Sequence, residues 1–255
     1  MKKAVINATL VAFRSAKMDI GFVVPICLLD SVKASKFQVC YASVARQSVE
    51  YSEFFKQRST DTIVILDHTP LLPRKPVKSI LALTESIEPN AVVLPNIDYA
   101  LKKTLQLSFG VLNSLHDSQF SKCIGVIQGQ NIDELAICYS ELKTVCGIIG
   151  LPASVEKIIS RNTLIEKLSI TKPLIYLEVF CDPVKEVPTT EKALGIITSL
   201  PAKLAYEGRS LANYTPTPAP LDFFNPFKPN MDLLIKNMSN YRNVVDMVRS
   251  IENHE

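Results

Sequence analysis

The sequence predicts an α/β fold, a (β/α)8 TIM-type barrel finished by a proline-rich arm and one terminal helix. Short, continuous apolar runs alternate with segments of helical spacing, the pattern of a parallel sheet covered on both faces. About seven or eight such units can be counted, which suits a closed barrel better than the alternative, an open doubly wound sheet. The length, 255 residues, is close to the roughly 250 typical of such barrels.

The strands are expected at 21–24, 37–41, 62–66, 91–94, 123–127, 145–149 and 173–180. Helices are expected at 48–57, 76–85, 99–115, 132–142, 153–168 and 186–194. The barrel is assigned residues 1–212. Residues 213–255 form the arm and helix packed on it. The arm reads NYTPTPAPLDFFNPFKPN, with five prolines and three phenylalanines. Proline this dense blocks both helix and central strand, so the segment should run extended, with Phe223, Phe224 and Phe227 as anchors. From Met231 on, Leu233, Leu234, Met238, Val244, Val245, Val248 and Ile251 recur at helical spacing.

Hydrophobic residues make up 47% of the chain and charged ones 21%, which argues for a large core and against disorder. A net charge of +3 neither demands nor excludes nucleic acid. The six cysteines show no C-x-x-C, and the three histidines do not join them at metal-ligand spacing. Buried free thiols and a reducing compartment follow, with no structural metal. Lys2 and Lys3 before the run Ala4–Phe13 mimic a signal peptide, but Arg14 and Lys17 interrupt and no clean cleavage site follows. The run at 20–29 is too short to span a bilayer and holds Pro25. A soluble, cytoplasmic protein is expected (host cytoplasm if phage-encoded), with no membrane contact.

Candidate site residues lie where apolar strands end, because parallel barrels bind ligands at the carboxyl ends of their strands. Asp67 ends TIVILD and could hydrogen-bond a ligand or move a proton, or simply open a turn before His68-Thr69-Pro70. Asn96 follows AVVLP and could read a purine edge. Asp98 reads as the cap of the helix near Tyr99. Gln128-Gly129-Gln130 is a polar strand end where Gly129 would let a flat ligand approach the backbone. Asn131 and Glu134 resemble a helix start. Gly150 and Leu151 are expected to close the next strand. Arg209 could grip a phosphate, or be a solvated surface arginine. There is no P-loop, no G-x-G-x-x-G and no nucleophile elbow, so no cofactor is expected.

The order of these strand ends resembles the tRNA-guanine transglycosylases, and especially their smaller relatives, the DNA-guanine transglycosylases of phages and bacterial DNA-modification islands. The matching pieces are ILD at 65–67, VVLPN at 92–96, IGVIQGQ at 124–130 and GIIGLP at 147–152. SRNTLIEKL at 160–168, PLIYLEVFCDP at 173–183, SLPAKLAYEGRSL at 199–211 and PAPLDFF at 218–224 follow. The resemblance implies a (β/α)8 barrel that exchanges guanine in DNA, or less readily tRNA, for a 7-deazaguanine base. It implies an aspartate nucleophile at the sugar C1′ and a second carboxylate, here Asp67, that assists proton transfer.

The chain departs from that pattern just before Ser199-Leu200-Pro201. Gly195-Ile196-Ile197-Thr198 carries no carboxylate there, and Asn96 stands where an aspartate holds the base. Glu178 and Asp182 are the nearby carboxylates that could substitute. Two functions remain open. One is an active base-exchange enzyme. The other is a non-catalytic member that binds nucleic acid, a deazaguanine or a catalytic partner subunit; in either case a homo-oligomer is allowed. An unrelated barrel enzyme acting on a small metabolite is a third.

Overall fold

The computed structural model describes residues 18–67, 76–115, 122–178, 187, 192–211 and 221–252. Eight strands form one all-parallel sheet: β1 (Asp19–Phe22), β2 (Phe37–Tyr41), β3 (Ile63–Asp67), β4 (Ala91–Val93), β5 (Cys123–Val126), β6 (Ile148–Pro152), β7 (Leu174–Leu177) and β8 (Ala193–Thr198). Their order is β1-β8-β7-β6-β5-β4-β3-β2, so the two edges are the first strands of the chain. These edges abut: a Cβ added at Gly21 on β1 would lie 2.7 Å from the Phe37 ring of β2. Gly195 on β8 leaves room for the same ring. The sheet is thus a nearly closed (β/α)8 barrel with its seam filled by Phe37.

The helices are α1 (Ala42–Ala45), α2 (Val49–Lys56), α3 (Pro76–Ile87), α4 (Leu101–Leu112), α5 (Ile132–Val145), α6 (Arg161–Lys167), α7 (Leu200–Tyr206) and α8 (Met231–Glu252). Two 3-10 turns, Ile26–Val32 and Ala153–Lys157, follow β1 and β6. Strand cores such as Val64-Ile65-Leu66 and Ile148-Ile149 are buried without alternation, as both faces of a parallel sheet require. The last helix, α8, covers the seam side. Its Tyr241 is buried edge-on to Phe22 of β1 (centroids 6.1 Å apart), and Asn237 ties it to the chain after α7.

Several expected elements change. The helix expected at 153–168 divides into a 3-10 turn, Ala153–Lys157, and α6, which the Ser160 side chain caps, and the strand expected at 21–24 lies at Asp19–Phe22. The helix expected over 186–194 ends in a strand instead: Ala193 and Leu194 begin β8, paired with β7 and β1. A six-residue apolar run has no period of its own, and the vacant place beside β7 decides it. The strand expected at 145–149 is shifted. Val145 completes α5, and β6 runs on to Pro152. The N-terminal run 4–13, residues 213–220 of the arm and Asp182 lie outside the described residues. Cys40, Cys123, Cys138 and Cys146 are buried free thiols. Burial alone pushes Cys123 up to about 12, while burial pushes Cys138 up to about 11 against a hydrogen bond from the Gln128 backbone. Among the described residues, no helix is long and apolar enough to cross a membrane.

Candidate active site at the barrel mouth

All eight strands point the same way, so their carboxyl ends share one mouth. Two clusters of polar side chains stand there.

The first gathers Tyr41 from β2, Asp67 from β3, Glu178 after β7, and Ser199 and Lys203 after β8. The Tyr41 hydroxyl donates to Glu178 Oε1 at 3.3 Å, and the Ser199 hydroxyl donates to Oε2 at 3.1 Å. Lys203 Nζ lies 3.8 Å from Oε2. Glu178 is held beside β8 by its own backbone, its N–H donating to Ile197 O at 2.8 Å. Its φ of 58° is left-handed, a costly setting for glutamate and of a kind that clusters at functional sites. Burial dominates its electrostatics and raises its pKa above 4.5; Lys203 and the two hydroxyls oppose the shift, and Asp67 adds to it. Tyr41 is pushed well up by burial first and then by Glu178 and Asp67, so it stays a donor. Its ring meets Phe223 of the arm edge-on at 5.1 Å, and Ile26 N–H donates to Phe223 O at 3.1 Å. One phenylalanine of the arm is therefore an anchor at the mouth, while Phe224 and Phe227 are exposed.

The second cluster is built on Gln128, buried after β5. Its Nε2 donates to Asn96 Oδ1 at 2.9 Å and Asp98 Oδ1 at 3.0 Å. Its Oε1 accepts from Tyr99 N–H at 3.2 Å and from the Ser154 hydroxyl at 3.3 Å. Asn96 also donates to Leu94 O at 3.2 Å. Gln128 is thus a strut joining the ends of β4, β5 and β6, with both ends of its amide in use.

Several sequence expectations are refined by this geometry. Asp98 does not cap α4: Ala100 occupies that position without a side-chain bond, and Asp98 accepts from Gln128 instead. The helix start at Asn131 is as expected. Asn131 accepts from Glu134 N–H, and the Glu134 carboxylate reaches back to Gln130 N–H. That turn presses Gly129 against α5, where an added Cβ would sit 2.7 Å from Glu134 Cβ. Its lack of a side chain serves this contact, whatever else approaches.

Gly150 and Leu151 lie inside β6 rather than at its end. A Cβ on Gly150 would meet Leu177, Ile124 and Val126, a crowded face within the barrel. Arg209 lies past α7, about 10 Å along that helix from the mouth. It pairs with Glu207, and its carbonyl accepts from Asn237 of α8.

Sequence reasoning did not single out Tyr41, Ser199, Lys203 or Arg161. The first ends an apolar strand with a polar tip, and Ser199 and Lys203 are four apart across a helix start; those were the available signals. Arg161 had none, since an arginine near a serine reads as surface. It is nevertheless wholly buried. Among the described residues, no group of three His, Cys, Asp or Glu is placed to hold a metal.

No family model and no curated protein matches this chain. Among solved structures it is similar to a Pseudomonas aeruginosa protein described as a "putative dihydrodipicolinate synthetase". Identity is 11%, over 93% of this chain and 83% of that one, with a TM-score of 0.50. Tryptophan synthase from M. tuberculosis aligns over 98% of both chains at 10% identity and a TM-score of 0.49. At 11% identity the Pseudomonas likeness shows the barrel fold and says nothing of chemistry.

Proposed function

We propose that this barrel is a guanine transglycosylase-like protein that exchanges guanine in DNA, or alternatively tRNA, for a 7-deazaguanine base. One observation supports this most. The resemblance wants a nucleophilic carboxylate just before Ser199-Leu200-Pro201, and β8 has none. Glu178 supplies one from the adjacent strand end, bonded to Ser199 itself.

In this reading the guanine is flipped from its stack into the mouth. Glu178 attacks the sugar C1′, and a C1′–oxygen bond replaces the C1′–N9 bond. Guanine leaves with the bonding pair and takes a proton from Asp67. The incoming deazaguanine gives its N9 proton back to Asp67 and attacks C1′, releasing Glu178. Atoms and charge balance, and two inversions return the original configuration. Tyr41, Ser199 and Lys203 stabilise the carboxylate as an anion against the burial that disfavours it.

The test is trapping. The purified chain is incubated with guanine-containing DNA or tRNA and denatured, and any adduct is located by mass spectrometry. An adduct on Glu178, absent from Glu178→Gln, is expected. No adduct and no exchange with either nucleic acid would leave the second role, a non-catalytic member that binds nucleic acid or a catalytic partner.

A further inference from the structure

We propose that Arg161 is a positioning residue that sets the Glu178 carboxylate by gripping the backbone on which it hangs. The proposal rests on the reading of Glu178 as the reacting group, but its geometry does not. Arg161 opens α6 and is completely buried. Its Nη1 donates to Leu151 O, one residue before the end of β6 (3.1 Å), to Leu177 O (3.4 Å) and to Glu178 O (3.1 Å). Its Nε meets Glu156 Oε1 at 3.0 Å, and its guanidinium stacks over the Tyr176 ring at 4.6 Å from the centroid. Tyr176 is in turn pinned by Asn162, the residue after Arg161, at 2.6 Å.

A planar fork held on one side by a carboxylate and on one face by an aromatic ring has little freedom left. Its Nη1 reaches the carbonyls of Leu151, Leu177 and Glu178, near the carboxyl ends of β6 and β7. Glu178 is the residue that turns left-handed at that point. Such a turn persists only where the surroundings over-determine it. Arg161 is the buried group that does so. The consequence reaches the side chain: with the turn fixed, the carboxylate faces Tyr41, Ser199, Lys203 and Asp67. Without it, Glu178 can relax to extended backbone and swing into water. A lysine keeps the charge but cannot bridge three carbonyls and Glu156 from one plane.

The experiment follows the Glu178 carboxyl by carbon NMR through a pH titration of the intact chain, in the parent, Arg161→Lys and Glu156→Ala. No substrate is needed, so failure of the base-exchange reading leaves this test standing. In the parent, Glu178 titrates above the ordinary carboxylate range, because burial among those partners disfavours its anion. In Arg161→Lys, with far-ultraviolet dichroism unchanged, the titration should move down toward 4.5 as the carboxyl reaches solvent. Should exchange be observed, kcat should fall with little change in KM. A folded Arg161→Lys with the parental Glu178 titration would overturn the proposal, reducing Arg161 to a packing group. If that variant does not fold, Glu156→Ala decides by the same criterion, since it removes the acceptor that holds Nε and frees one side of the fork from a partly exposed position.

Discussion

In the loop after β4 and directly after β7 the chain turns through a left-handed residue, Tyr99 in one place and Glu178 in the other (φ 60° and 58°). In each case a buried polar side chain from a neighbouring βα unit holds the turn: Gln128 for Tyr99, Arg161 for Glu178. The devices match, but the results differ. Around Gln128 nearly every group is neutral and bonded to another, which makes a rigid floor. Around Glu178 the groups are titratable, and the carboxylate is held where burial opposes its charge. A network whose bonds are all satisfied stabilises a fold, whereas strained, desolvated charge is the usual mark of chemistry. Under the proposed function, the chemistry belongs to the β2-β3-β7-β8 side of the mouth and the support to the β4-β5-β6 side.

Three substitutions can break or sharpen this division. The largest effect should come from Asp67→Asn. If Asp67 passes the proton, base exchange should fall by roughly 10²–10⁴-fold while the melting temperature hardly moves; a variant that exchanges bases at the parental rate would remove Asp67 from the chemistry.

Gln128→Leu should do the reverse. It removes the Gln128 bonds to the Tyr99 N–H, Asn96, Asp98 and Ser154, at a cost of about 2–4 kcal/mol in denaturant unfolding. The Glu178 titration should change little, since the side-chain bonds of Gln128 go to Asn96, Asp98, Tyr99 and Ser154 while those of Glu178 go to Tyr41, Ser199 and Lys203. A neutral effect on stability would show that Gln128 is not the floor described here.

The smallest effect concerns pH. The folded chain raises the pKa of Glu178, so it binds that proton more tightly than the unfolded chain does. Its contribution to stability is present at low pH and is lost as the pH rises through the raised value. Glu178→Gln should therefore melt higher than the parent near pH 8, by about 2–4 °C per kcal/mol for a chain of this size. The gain should vanish as the pH drops below about 4. A gain that persists in acid would mean relief of something other than buried charge.

Much of the fold was legible because its signals are local. The run FQVCY at Phe37–Tyr41 is the strand expected there, and the Asn131–Glu134 pair starts α5 as read. Where the local signal was ambiguous, the expectations slipped. Val145 and the residues from Ala193 on are apolar in either a helix or a strand, and only their neighbours settle which. Asp98 had two partners open to it, a helix N-terminus three residues of chain away or Gln128 across a strand. The fold brought the second within 3.0 Å.

The amino-acid sequence by itself determined the alternation of strands and helices, and hence the barrel and the common end at which Asp67, Asn96 and Gln128 emerge. Hydrophobic period and capping act between residues a few positions apart, so they can be read along the chain. Only the tertiary structure decided that Glu178 stands against Ser199, Tyr41 and Lys203, partners separated from it by 21, 137 and 25 positions. Only the tertiary structure buried Arg161 behind it. Desolvation and charge depend on what surrounds a group in space, and spacing along the chain carries no trace of that.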